Sequence, residues 1–380
     1  MAFEHYIRSG TKLLRCGYTT GTCAALAAAG AVRLLLTGSA PETVRLVTPK
    51  GLAVEVALED CSCEGDTARC AVRKDAGDDP DVTDGMLIYA SAAKTALGVV
   101  IEGGEGVGRV TRDGLDQPIG AAAINSVPRR MIAAAAEDCC AELGYAGGLR
   151  IVISVPGGAE RAQKTFNPVL GIEGGISILG TSGIVEPMSE QAVVDTIAVE
   201  ARQARMRSER VILVPGNYGM DYVLTQYPLL AQLPRIKTSN YIGDSLDIAA
   251  LEGFGEVLLV GHVGKLVKLA GGIMNTHSHM AGCRMELFCA HAALCGADRE
   301  ICRELMEQVT ADGCLAVLEE AGLRTQVLES LLAAIHRQLT HRVGDHMKIG
   351  AVLFSNSYGL LGMTEGAKQL LDRWEARYGG

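Results

Sequence analysis

The groups in this chain that could do chemistry sit mostly beside glycine. Val260-Gly261-His262-Val263-Gly264-Lys265-Leu266 joins an apolar, strand-like run to a helical pattern. Backbone N–H groups and a lysine at that junction suit a carboxylate or a phosphate, with a merely solvated lysine as the competing reading. A phosphate-binding P-loop places four residues between its glycines and a Ser or Thr after its lysine; here two intervene and Leu266 follows, so an ATPase is rejected. Pro215-Gly216-Asn217-Tyr218-Gly219 stands at a similar junction. Its glycines let a ligand approach the backbone, and Asn217 offers a donor and an acceptor. A plain turn is the competing reading. Asn275-Thr276-His277-Ser278-His279 gathers polar groups after a soft Ala270-Gly271-Gly272. His277 and His279 share a face only in extended backbone, and no third metal ligand is evident. A helix-start cap or a substrate hydrogen-bonding loop is expected there, with no metal held by the protein. Gly104-Glu105-Gly106-Val107-Gly108 has the glycines of a nucleotide fingerprint but lies between two strand-like runs, so it reads as a hairpin loop. There is no G-x-S-x-G and no H-E-x-x-H, and hydrolase chemistry has no positive support.

Twelve cysteines include no C-x-x-C pair. A zinc ribbon or thioredoxin motif is therefore not expected. Cys283, Cys289, Cys295 and Cys302 recur at six, six and seven residues, which is not one helical face. They read as small buried hydrophobes, reduced in a cytoplasm. The first eighteen residues carry no apolar h-region, so no secretory signal is expected.

The elements that must position these groups follow from composition and period. The chain has 380 residues, enough for two domains. Hydrophobic residues are 48% but aromatics only 4%, so the cores must be built from Ala, Val, Leu and Ile. Glycine, at 46 residues, is far above the usual ~7%. Net charge is −9, which disfavours a nucleic-acid partner. No run reaches the ~18 apolar residues of a membrane helix.

Thr19, Thr20 and Thr22 precede an Ala-rich run, a helix start over 23–36. A hairpin over 43–47 and 52–58 follows, then a strand over 68–74. A second hairpin is expected over 97–101 and 107–111, a helix over 125–141 and a strand over 149–155. This half reads as an α+β domain with β-hairpins, residues 1–165. The second half, 166–380, alternates: strands at 176–179, 211–214, 257–260 and 351–354, each followed by a Gly/Ser/Asn-rich loop, with helices between. That rhythm predicts an α/β domain with a mainly parallel sheet, and ligands at the carboxyl ends of its strands.

Arg15-Cys16-Gly17-Tyr18-Thr19-Thr20-Gly21-Thr22-Cys23-Ala24-Ala25 strongly resembles the opening of the CbiD family, the cobalt-precorrin-5B C(1)-methyltransferases. Further matches follow in family order. They are Val72-Arg73-Lys74-Asp75-Ala76-Gly77-Asp78-Asp79-Pro80-Asp81-Val82-Thr83, Gly106-Val107-Gly108, Pro156-Gly157-Gly158, Thr165-Phe166-Asn167-Pro168, Gly180-Thr181-Ser182-Gly183, Gly216-Asn217, Gly243-Asp244, Gly261 to Lys265 and Thr276-His277-Ser278. One departure is visible. The family pattern continues Ala-Asp-Gly-Arg, where this chain has Ala281-Gly282-Cys283-Arg284. The last hundred residues add little to the resemblance.

The resemblance implies methyl transfer from S-adenosylmethionine to carbon 1 of a cobalt-bound tetrapyrrole, giving cobalt-precorrin-6A in anaerobic cobalamin biosynthesis. Cobalt would arrive with the substrate. A sulfonium is already activated for attack, which suits a chain with no obvious acid–base pair. For such a reaction the strand-end loops make Gly180, Thr181, Gly183, Gly216, Asn217, Gly219, Asp244 and Gly261 the candidates for the donor, the acidic residue by analogy with dinucleotide folds. Motif cations and hydrogen-bonding groups make Thr19, Thr20, Thr22, Arg73, Lys74, Lys265, Asn275, His277 and Ser278 the candidates for the carboxylate-rich macrocycle. No catalytic residue is named beyond His277 as a candidate. The expected partners are the tetrapyrrole and neighbouring enzymes of the pathway, in the cytoplasm, with no nucleic acid and no membrane. A tetrapyrrole carrier without chemistry is the alternative, and a zinc hydrolase using His277 and His279 ranks last.

Overall fold

The computed structural model describes residues 3–378. The chain divides into two compact units after Glu190. Sequence reasoning placed the division at 165. The segment beyond 165 stays with the first unit because its backbone is woven into it. Ile172–Glu173 pairs with Arg109–Val110, Ile184–Val185 pairs with Gly17–Tyr18, and Ile176 and Ile178 bridge to Val107 and Ile124. The strand expected at 176–179 is thus two isolated bridges of the first unit, not a strand of the second.

The first unit is built on a five-stranded sheet in the order Glu59–Glu64, Thr67–Arg73, Leu87–Thr95, Gly148–Ser154, Val99–Gly103. Alternate residues of the three central strands point one way: Ala68, Cys70 and Val72; Ile88, Ala90 and Ala92; Leu149, Ile151 and Ile153. All are fully buried. They share one core with the Thr20–Thr37 and Ser126–Leu143 helices, as a period of two requires. The Thr20–Thr37 helix is long and apolar enough by composition to cross a membrane, yet 72% of it is buried inside the unit. Its alanines let it lie close to the sheet and to the second helix.

The hairpin at 43–57 forms as expected, Thr43–Val47 against Ala53–Ala57. The one expected at 97–111 does not. Val99–Gly103 pairs in parallel with Gly148–Ser154 instead. The glycine cluster explains this. A Cβ on Gly106 would lie 1.8 Å from the Val155 carbonyl oxygen, and one on Gly158 or Gly175 would lie 2.2 Å from the Gly106 oxygen. Three chain segments therefore cross with no room for side chains, and these glycines serve the fold.

The second unit has a mixed sheet in the order Arg235–Lys237, Arg210–Val214, Glu256–His262, Lys348–Ser355, Gly359–Met363. The first four strands are parallel and the last is antiparallel. In chain order this is 2-1-3-4-5. Both faces are covered. Val211, Leu213, Ile236, Val257, Leu259, Ala351 and Leu353 face one helical layer. Ile212, Val214, Leu258, Val260, Val352 and Phe354 face another, which includes Val223, Leu370 and Trp374. Burial on both faces makes the strands read as continuous apolar runs.

Candidate functional site

In a doubly wound sheet of order 2-1-3-4-5, ligands sit where the winding reverses, outside the carboxyl ends of strands one and three. Here those ends are Val214 and His262. The loop after Val214 is Pro215-Gly216, which opens the Asn217–Gln226 helix with Gly216 as its N-cap. A Cβ on Gly216 would meet nothing within 4 Å, so the backbone is open at this point. Gly219 is different. Its Cβ would lie 2.8 Å from the Val260 oxygen, so it brings the helix close to the sheet. Gly261 is buried within the strand against Leu266 and is likewise a packing residue.

Lys265 closes the crevice. Its Nζ donates to the Pro215 oxygen at 2.8 Å and approaches the Ser239 oxygen at 3.4 Å. One ammonium thus ties the loops of three neighbouring strands. Burial, then the charges of Lys237 and Lys268, push Lys265 below its ordinary value. Lys237 ends the edge strand and donates to Asn217 Oδ1 at 2.7 Å. Ser239 holds a left-handed φ of 54°, a strained position of the kind that gathers at ligand sites. Lys237, Lys265 and Lys268 make this end of the sheet cationic.

A second segment is laid against the crevice. Tyr241 bridges to Asn275, Thr276 N–H donates to the Asn240 oxygen at 2.9 Å, and Gly243 N–H donates to the Met274 oxygen at 3.1 Å. Gly243 permits the approach, since a Cβ there would lie 2.8 Å from that of Met274. These contacts bring Asp244, Asn275 and His277 beside the crevice. Asp244 is exposed in the first turn of the Ile242–Leu251 helix. Asn275 Oδ1 accepts from His277 N–H at 3.1 Å. His277 Nδ1 accepts from His279 N–H at 3.2 Å, which puts the ring proton on Nε2 and makes His277 a donor. His262 has the same arrangement, Nδ1 accepting from Gly264 N–H at 3.1 Å. Burial holds its pKa below the ordinary value against the pull of Asp312. Among the described residues no three His, Cys, Asp or Glu side chains converge as a metal site. His277 and His279 pack edge to face, centroids 4.8 Å apart.

The remaining expected residues lie in the first unit. Thr19 caps the Thr20–Thr37 helix, accepting from Thr22 N–H at 3.2 Å. Gly21 N–H donates to the Leu179 oxygen at 3.1 Å, and Thr19 N–H to the Gly183 oxygen at 3.0 Å. Thr22 Oγ1 donates to the same Gly183 oxygen at 2.6 Å, and Leu179 N–H donates to Thr20 Oγ1 at 2.9 Å. The donors expected to meet an anion at this helix start are largely engaged by the 177–183 segment. Gly180 and Gly183 have positive φ, and a Cβ on either would strike Thr19 or Thr48. Thr181 lies in the same loop. Arg73 is exposed and paired with Glu59, Nη2 to Oε2 at 2.5 Å. Lys74 is almost wholly buried, its ammonium 3.1 Å from Asp81 Oδ2. Arg15 and Asp75 form a two-pronged pair at 2.6 and 2.8 Å, and Gly77 fits only because it has no Cβ to strike the Arg15 oxygen.

Of the expected donor residues, then, Gly216, Asn217, Gly219, Asp244 and Gly261 share the second unit, while Gly180, Thr181 and Gly183 belong to the first. Of the expected macrocycle residues, Lys265, Asn275, His277 and Ser278 share the second. Sequence reasoning missed Lys237, Lys268 and Asp312, and took His262 only as part of its glycine motif. Asp312 accepts from Ser355 at 3.0 Å and Ser357 at 3.1 Å in the loop after the fourth strand. The one readable signal was Lys268, a lysine inside the apolar run Leu266-Val267-Lys268-Leu269-Ala270.

Comparison with known proteins agrees with the early resemblance. Residues 7–187 match the family model described as CbiD, and residues 275–365 match CbiD, C-terminal domain. A protein of Ruminiclostridium cellulolyticum is 46% identical over 354 residues, 93% of this chain and 92% of its own length. One of Alkaliphilus metalliredigens is 41% identical over 371 residues, 97% of each. Both are named cobalt-precorrin-5B C(1)-methyltransferase. A crystal structure of a cobalamin biosynthesis protein (cbiD) from Archaeoglobus fulgidus aligns with 70% of this chain and 83% of its own, at 32% identity and a TM-score of 0.39.

Proposed function

The chain belongs to the CbiD family, and from that premise we propose that it is a methyltransferase of cobalamin biosynthesis, moving a methyl group from S-adenosylmethionine to carbon 1 of cobalt-precorrin-5B. The product is cobalt-precorrin-6A. Cobalt belongs to the substrate. The enzyme works in the cytoplasm, where its twelve free thiols stay reduced, beside the enzymes that supply and consume the macrocycle.

What supports the donor assignment is the reversal point of the parallel sheet, where the backbone at Gly216 is open and Lys265 ties three strand-end loops. The donor supplies an electrophilic methyl on a sulfonium, so the protein's task is to hold two reactants in line. The start of the Asn217–Gln226 helix, with Lys237 and Lys265, suits the donor's carboxylate. Asp244, exposed in a first helical turn, suits the ribose hydroxyls. His277, donating from Nε2, with Asn275 and Ser278, suits a carboxylate of the macrocycle.

The roles expected of Thr19, Thr20, Thr22, Gly180, Thr181 and Gly183 find less support, since their polar groups and glycines serve each other. The same holds for Arg73 and Lys74, which are already paired. Titration of S-adenosylmethionine into Asn217→Ala and Asp244→Ala tests the donor site. Both should bind more weakly than the parent; undiminished affinity in both would remove the crevice as the donor site.

A further inference from the structure

Lys268 does more than add charge at the carboxyl end of the second unit's sheet. It sits in the one-turn stretch Val267–Gly271 with 4% of its surface exposed, between Val267 and Leu269, which are fully buried. An ammonium taken out of water needs partners. Lys268 has two, both carbonyl oxygens: Thr276 at 2.9 Å and Ala281 at 2.7 Å. Burial pushes its pKa down, and the charge of Arg284 close by pushes the same way. Among the described residues no carboxylate pairs with it, so its ammonium is spent on these two carbonyls.

What they hold is the ends of one turn. Between Thr276 and Ala281, Met280 N–H donates to the His277 oxygen at 3.1 Å and His279 N–H donates to His277 Nδ1. The turn is otherwise exposed, at Ser278, His279 and Met280. Asn240 also holds Thr276, its oxygen 2.9 Å from Thr276 N–H, and the Lys268 bond to Ala281 secures the far end of the turn. The clamp therefore reaches His277 through the turn, keeping His279 N–H on Nδ1 and the ring proton on Nε2.

We propose that Lys268 is a positioning residue: its buried ammonium staples the Thr276–Ala281 turn and so keeps His277 Nδ1 on the His279 N–H, with Nε2 turned toward the substrate as a donor. The word substrate rests on the methyltransferase reading; the staple itself does not. A structural lysine would affect only stability. A positioning lysine must also change the tautomer of one histidine and the handling of one reactant.

The test compares the parent with Lys268→Met and Lys268→Arg, in protein labelled with nitrogen-15 at histidine; His277→Gln identifies the His277 signals. The parent should show His277 as the Nε2–H tautomer. Lys268→Met should lose that preference, and the backbone amides of 276–281 should exchange with solvent faster than in the parent. Its kcat/KM for the macrocycle should fall by about a hundredfold, far more than its affinity for S-adenosylhomocysteine. Lys268→Arg, which keeps charge and donors, should recover part of each. An unaltered tautomer and unaltered exchange in a folded Lys268→Met protein would overturn the proposal. If that variant does not fold, unprotected 276–281 amides in the parent would overturn it instead. Absence of methyl transfer by the parent would count against the methyltransferase reading alone, since tautomer and exchange are measured without turnover.

Discussion

Replacing Lys265 with methionine keeps the length of the side chain and removes the ammonium that ties the Pro215 and Ser239 loops. A hydrogen bond from a charged donor contributes about 1.5–3 kcal/mol. The 2.8 Å bond to Pro215 is of that class; the 3.4 Å approach to Ser239 lies near the geometric limit and adds little. Lys265 is partly exposed, so the freed carbonyls reach water and the lower end applies. A loss of about 1.5 kcal/mol is about tenfold in affinity for any ligand that needs the loops tied. Calorimetry with S-adenosylhomocysteine should show that drop in Lys265→Met and a smaller one in Lys265→Arg. The pH dependence has a definite sign. Burial, then Lys237 and Lys268, lowers the folded pKa below 10.5. The charge is lost before an ordinary lysine would lose it, so affinity should fall through a midpoint below 10.5. Stability should rise over the same window, because there the unfolded chain binds more protons. Affinity within about twofold of the parent, with no alkaline fall, would refute the reasoning.

Three other outcomes follow from the same geometry. Gly106→Ala places a Cβ 1.8 Å from the Val155 oxygen at a φ of 70°, and should cost about 3 kcal/mol or more in thermal unfolding; a loss under about 1 kcal/mol would mean the crossing segments are not held as described. Asp75 is raised by burial but lowered further by the Arg15 pair, ending below 3.8. Its contribution should be whole above that value and vanish as the pH falls through the folded pKa. Asp75→Asn should cost about 1.5–3 kcal/mol at neutral pH and nothing in strong acid, seen by chemical denaturation across pH. Cys283 holds a φ of 51°, a left-handed conformation that favours glycine. Cys283→Gly should raise stability by about 0.5–1 kcal/mol, the relief of left-handed strain less the entropy of glycine; a lower melting temperature would contradict it.

The strands that run between two covered faces, Arg210–Val214, Glu256–His262 and Lys348–Ser355, were legible because burial on both sides writes unbroken apolar runs. Leu87–Thr95 was not seen, although it lies in the centre of the first sheet. Its Tyr-Ala-Ser-Ala-Ala stretch has no strand preference of its own and is placed by the strands on either side. Arg235–Lys237 is too short to show a period, so Lys237 was lost with it. Glycine was legible as abundance but not as purpose. Gly216 leaves backbone open, whereas Gly106, Gly175, Gly180 and Gly183 are needed because chain meets chain. The two uses look alike until the partner segment is known, and that partner is often far along the sequence. The aromatic scarcity had a local answer as well. Tyr222 stacks on Phe354 at 4.1 Å, and His262 meets the same ring edge-on at 5.7 Å, so part of the small supply covers the floor of the second unit's sheet.

Methyl transfer to the macrocycle is tested by incubating the protein with cobalt-precorrin-5B and S-adenosylmethionine carrying a carbon-13 methyl, under anaerobic conditions. The expected product is heavier by one labelled methyl, with the label attached at carbon 1, and is formed with stoichiometric S-adenosylhomocysteine. A macrocycle that binds and is recovered with its mass unchanged would contradict it and leave a carrier in its place.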